Sequence, residues 1–118
     1  MPYVDGFLLP VAKNKVQAYR RMARMAGRVW RKYGALEFRE CVGDDLNTKM
    51  GPSFKKAVKA KPNETVFFSW IVFKSKTHRN RVNARVMKDP KIAKMMASDM
   101  PMDPKRMYYG GFKFAVDL

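Results

Sequence analysis

Apolar residues recur along this chain with two different periods, and the switches between them lay out the elements. Tyr3 to Leu9 (YVDGFLL) is a short aromatic and aliphatic run that reads as a strand, ended by Pro10. From Asn14 the period lengthens: Val16, Tyr19, Ala23, Ala26 and Trp30 recur at helical spacing, and Gly34 offers a left-handed stop. Asn14 suits an N-cap, with Gln17 three residues on as a capping box requires. Residues 35–42, ALEFRECV, alternate and predict a second strand. Residues 43–64 are rich in turn formers; SFKKAVKA suggests a helical turn followed by a strand, and KPNE a turn with Pro62 second. Residues 65–73 predict the third main strand. Ser75 caps a helix from about 76 to 88, Asp89-Pro90 starts a shorter one through IAKMMASDM, and Met107 to Val116 forms the last strand. Gly110-Gly111 in that strand allows a bulge or a close backbone approach. The order β-α-β-β-α-(α)-β is the ferredoxin-like pattern, an α+β fold with an antiparallel sheet and helices on one face.

One strand is apolar on both sides. In VFFSWIVF, Val66, Phe68, Trp70 and Val72 point one way, and Phe67, Ile71 and Phe73 the other. Helices cover one face only, so the other is expected to pair with a second copy, sheet against sheet, as a homodimeric α/β barrel. The alternative is that residues 43–64 fold back over that face.

The 118 residues make one domain, and 47% apolar content argues for a folded chain. No apolar run reaches the roughly 18 residues of a membrane span, and MPYVDGFLLPV lacks a basic n-region and reads as a strand rather than a signal peptide. The single cysteine, Cys41, rules out an intrachain disulfide and fits a reducing cytoplasm. One His and one Cys make no zinc site, so neither a metal nor a cofactor is expected.

The net charge of +15 asks for an acidic partner or a solvated surface. Sixteen of the 25 basic residues fall in 11–34 and 74–94, on or beside helices. Arg20, Arg24 and Arg28 repeat at i,i+4, which opposes helix formation by roughly 0.2–0.5 kcal/mol per pair. They are the candidates for polyanion binding. Nucleic acid is the weaker expectation: the third strand lacks the basic and glycine positions with which ferredoxin-like RNA readers frame their stacking aromatics. Only salt-sensitive backbone binding along the helices remains.

Candidate chemistry is sparse. His78 shares a helical face with Val82, so it reads as a packing histidine more readily than as a general base. Cys41 alternates with Glu37 and Arg39 as a plain strand residue. Asp5 interrupts a strand that should be central, where an unpartnered carboxylate costs several kcal/mol. Ser69 and Trp70, on a neighbouring strand expected to run parallel, and Tyr108 and Tyr109 on the last strand could reach the same region. With His78 they make up the candidate ligand set, in a pocket between sheet and helices. Ten methionines offer a soft lining.

The segments YVDGFLLPV, GALEFRECVGDD, ETVFFSWIVFKSKTHRNRVNARVMKDP and RMYYGGFKFAVDL resemble the YbaA-like family of small bacterial proteins, over nearly the whole chain. LNTKMGPSFKKAVKAK departs from it. The resemblance implies a dimeric α/β barrel, a group that includes cofactor-free monooxygenases, isomerases and haem-handling proteins. It supplies no catalytic residues. A label tying some members to signal-recognition-particle RNA finds no residue here to support it. The expected function is therefore the binding, with catalysis left open, of a small organic molecule in an apolar pocket. The alternative is a non-catalytic basic protein that binds RNA or another polyanion.

Overall fold

The computed structural model describes residues 1–118. Its elements are β1 (Tyr3–Ala12), α1 (Val16–Lys32), β2 (Glu37–Val42), α2 (Phe54–Ala57), β3 (Glu64–Phe73), α3 (Lys76–Met87), α4 (Pro90–Ala97) and β4 (Tyr108–Lys113). Short 3₁₀ turns precede α1 and β4. The strands form one sheet in the order β2-β3-β1-β4, antiparallel throughout. This is the ferredoxin-like arrangement with two added helices, α2 and α4. The molecule is a slab of 38 × 38 × 19 Å, thin because helices lie along one face of the sheet.

Pro10 does not end β1, which runs on to Ala12. Lys13 donates its N–H to Asn63 O at 2.8 Å, so by alternation the even-numbered residues of β1 point their backbone groups towards β4. β4 pairs only as far as Leu8. The donor that Pro10 lacks would face an edge with no partner strand, where proline is tolerated. The same Lys13 bond delays the helix. The chain stays paired to β3 until residue 13, makes a 3₁₀ turn, and enters α1 from Lys15 without a side-chain cap. The Asn14–Gln17 capping box is therefore not formed.

Other boundaries follow their local chemistry. Ser75 Oγ accepts from His78 N–H at 3.0 Å and starts α3, and Asp89 caps α4 with Pro90 in its first turn. Gly34 takes φ +116°, a conformation that ends α1 and that other residues adopt only under strain. Pro62 sits in a turn closed by Glu64 N–H to Lys61 O at 2.9 Å. α2 is the helical turn expected from SFKKAVKA, but no strand follows it within that stretch; the next begins at Glu64. The last strand is shorter than Met107–Val116. Its register with β1 is unbroken, so Gly110-Gly111 makes no bulge. Gly111 serves a close approach: a Cβ there would collide with Tyr3 and Arg79.

The buried core lies between sheet and helices, in one cluster around Phe73, Val82, Val86 and Ile92 and another around Leu9, Val11, Tyr19 and Phe67. On the opposite face, Phe68 is 47%, Tyr108 54% and Phe112 59% exposed. Residues 43–62 fold back over part of that face. Phe54 of α2 meets Phe68 edge-on, with ring centroids 6.2 Å apart, and Val58 is buried. The rest of the face stays open.

Candidate functional site

Between the helices and the covered face of the sheet lies a cavity of about 350 Å³. Seven of the ten methionines line it: Met22 from α1, Met87 from α3, Met95 and Met96 from α4, and Met100, Met102 and Met107 from the segment leading to β4. Aromatic rings complete the wall. Phe7 and Tyr109, paired across β1 and β4, stack with centroids 5.0 Å apart, and Trp30 and Phe38 approach from α1 and β2.

Two carboxylates reach this apolar space, and their surroundings differ. Asp5 is 1% exposed and forms an ion pair with Arg79 Nε of α3 at 3.0 Å. Arg79 also lies over the Tyr3 ring, 5.0 Å from its centroid. Burial alone would lower the pKa of the guanidinium, but the Asp5 charge and hydrogen bond outweigh it and hold it above its ordinary value. Asn83 Nδ2 donates to Asp5 Oδ2 at 3.4 Å, and Trp30 Nε1 donates to Asn83 Oδ1 at 3.0 Å. The central-strand carboxylate thus has its partner, and the resulting chain of bonds ties α1, α3 and β1 together. The Tyr109 hydroxyl titrates above its usual range, through burial first and then the neighbouring Asp5 charge.

Glu40 of β2 is the second carboxylate. Tyr19 Oη donates to its Oε1 at 2.9 Å, and Ser69 stands directly opposite it on β3. Burial pushes the Glu40 carboxyl up to about 6, although hydrogen bonds from Tyr19 and Ser69 pull the other way. The Tyr19 hydroxyl is pushed up strongly, by burial and then by the Glu40 charge. Glu40 was not among the candidates drawn from the sequence. The signal was there: Phe38 and Glu40 alternate, so a strand that turns Phe38 inward turns Glu40 inward too.

The sheet separates the expected residues. Asp5, Ser69 and Tyr109 line the cavity, while Trp70 and Tyr108 lie on the open face. Trp70 there donates to Glu37 Oε1 at 2.9 Å. β3 runs antiparallel to β1, not parallel, with Phe7 opposite Ser69 and Gly6 opposite Trp70; this register divides the two neighbours between faces. His78 does not line the cavity. Its Nδ1 accepts from Lys74 N–H at 3.0 Å and its ring stands edge-on to Phe73, beside Gly34. Burial, then the Lys74 and Arg81 charges, lower its pKa. Cys41 is free and exposed on the open side, opposite Phe68. Arg20, Arg24 and Arg28 are exposed along α1, and none forms an ion pair within 4.0 Å. No three His, Cys, Asp or Glu side chains gather as a metal site, and no helix is long and apolar enough to cross a membrane.

Strand order and helix placement define a ferredoxin-like α+β protein. The chain belongs to the DUF1428 family, described as a protein of unknown function, whose model matches residues 2–104. It is 44% identical over 117 residues to Uncharacterized protein YbaA of Escherichia coli strain K12, across 99% of each chain. The YbaA of Shigella flexneri matches equally well. Among solved structures, Rv0793 from Mycobacterium tuberculosis is similar with a TM-score of 0.61 and 9% identity, covering 99% of this chain and 98% of that one. An uncharacterized NIPSNAP domain protein from Burkholderia xenovorans gives a TM-score of 0.51 at 12% identity, over 96% and 94% of the two chains. These two likenesses support the fold.

Proposed function

We propose that this protein binds a small organic molecule in the methionine-lined cavity. The observation that carries the reading is a cavity of about 350 Å³, apolar except for a few convergent polar groups, Asp5, Ser69, Glu40 and Tyr109 among them. Ligand sites have this composition: an apolar wall supplies affinity and a few polar groups fix orientation. Methionine side chains are unbranched and polarizable, so the wall adapts to varied shapes. Met96 is 58% and Met87 49% exposed, which puts flexible side chains where a ligand would enter.

A thermal-shift screen of small aromatic amines, alcohols and carboxylates, followed by methyl NMR of methionine-labelled protein, tests the reading. A genuine ligand moves the signals of the seven cavity methionines and leaves Met1 and Met50, 85% and 92% exposed, unmoved. Hits that move only Met1 or Met50, or no hits at millimolar concentration, sink it.

Assembly is the second part of the proposal. The open face presents Val4, Leu8, Phe68, Trp70, Tyr108 and Phe112 side by side. A second copy packed sheet to sheet would cover them and close a dimeric barrel. The rival function, polyanion binding, rests on the unpaired Arg20, Arg24 and Arg28 row, and the salt experiment in the Discussion separates it from cavity binding.

A further inference from the structure

The chain carries 25 basic and 10 acidic residues, so an acid here meets a base easily. Asp5, Glu37, Glu64 and Asp89 each have a basic partner within 4.0 Å. Asp44, Asp45, Asp99, Asp103 and Asp117 are exposed and need none. Glu40 alone is withdrawn from solvent without a basic partner.

The groups around it explain why. Tyr19 from α1 and Ser69 from β3 are neutral donors. Asp5 on β1 and Tyr109 on β4 line the same cavity and add no positive charge. Arg79 of α3 is committed to Asp5 at 3.0 Å. Arg39, next to Glu40 in sequence, also borders the cavity, but its guanidinium turns to Glu37 at 3.7 Å with its side chain 60% exposed. The residues that α4 contributes, Ile92, Met95 and Met96, carry no charge. No base pairs with the Glu40 carboxylate, in a strongly cationic protein. Trp30, Phe38 and Phe7 line the same cavity, and aromatic ring faces attract cations.

We propose that the cavity takes lipophilic amines, the protonated amino group seated on the Glu40 carboxylate and the apolar body against the methionine and aromatic wall. This rests on the cavity being a binding site and names the chemistry it selects. The overall positive charge does not forbid it. Screening at physiological salt acts over about 8 Å, so distant surface arginines weigh little against a direct contact in a partly desolvated site.

Three probes of similar shape test this: 2-phenylethylamine, 2-phenylethanol and 3-phenylpropionate, titrated calorimetrically at pH 7.5 and 150 mM salt. The amine should bind about 10- to 100-fold more tightly than the alcohol, as expected for a charge-assisted hydrogen bond. The acid should bind least. Binding needs Glu40 ionised, so amine affinity should hold above pH 6 and fall by about tenfold per unit below it, while alcohol affinity stays level. Glu40→Gln should bring the amine down to the level of the alcohol. If that variant fails to fold, the wild-type pH profile and the probe order carry the test. An alcohol or acid that binds as well as the amine, or amine affinity flat between pH 5 and 7.5, overturns the amine proposal and leaves the cavity a binding site. If none of the three binds at millimolar concentration, both readings fall.

Discussion

At the scale of single residues, Glu40 and Asp5 are two carboxylates in one cavity with different partners. The Glu40 carboxyl rises from its ordinary 4.5 to about 6, so its charged form is disfavoured by folding. Below pH 4.5 both folded and unfolded chains hold the proton and nothing is lost. As pH rises through about 6, the folded chain loses on the order of 2 kcal/mol relative to one without that charge. Glu40→Gln should therefore gain melting temperature relative to wild type as pH climbs from 4.5 to 6.5; a difference constant across that window refutes the assignment. Asp5 has a different setting: Arg79 Nε stands 3.0 Å from its carboxylate. Asp5→Asn strands the guanidinium and should cost about 3–5 kcal/mol in denaturant unfolding. His78→Gln should cost roughly 0.5–3 kcal/mol, as a packing and backbone-bonding residue does, and leave cavity binding intact. A larger effect on ligand binding from His78→Gln than from Asp5→Asn would reverse this ranking. Sequence reading found Asp5 because a charge in a central strand is conspicuous. It passed over Glu40 because a six-residue strand at the sheet edge, EFRECV, carries charges on both sides.

At the scale of elements, α1 bears two constraints on opposite faces. Its inner face brings Gly27 against the Phe38 ring, where an added Cβ would come within 2.6 Å of the ring. In an ordinary helix Gly→Ala gains roughly 0.5–1 kcal/mol. Here overpacking, typically about 1–3 kcal/mol, should outweigh it, so Gly27→Ala should lower the unfolding midpoint. A rise would mean that Phe38 yields easily. The outer face carries the Arg20, Arg24 and Arg28 row. If it binds polyanions, affinity for a generic RNA should fall about a thousandfold between 50 and 200 mM salt for six or more phosphate contacts, and reversing the three charges should abolish it. Absence of binding at low salt would leave the row as a solvated surface. Most elements were legible because their periods are regular and their caps local. What was not legible, the missing capping box and the passage of β1 through Pro10, depends on where another strand begins or stops. No local pattern carries that information.

For the whole molecule, the distribution of apolar surface decides. The slab is 19 Å thin, and large apolar side chains, Phe68, Tyr108 and Phe112 among them, stand about half exposed on its open face; contiguous apolar patches mark interaction surfaces. Paired sheets should bury at least about 1,200 Å² in total, the lower end of stable interfaces. Light scattering at micromolar concentration should give twice the 13.7 kDa chain mass, and Phe68→Lys with Phe112→Lys should return it to one. A soluble wild-type monomer would show that the fold-back of residues 43–62 suffices. The two-faced strand was plain in the sequence. How much of one face those residues would cover was not, because that loop follows no repeating pattern.

The sheet also sorts the two tryptophans, and this gives the protein a pair of internal optical reporters. Trp30 lines the cavity and donates to Asn83; Trp70 lies on the open face and donates to Glu37. No other indole contributes emission. With Trp70 replaced by Phe, a ligand entering the cavity should change the emission of Trp30 whatever the state of assembly. With Trp30 replaced by Phe, dilution through the association range should red-shift Trp70 as its face becomes wet, whatever the cavity holds. Occupancy and assembly can thus be followed one at a time, in the same chain, without an added dye.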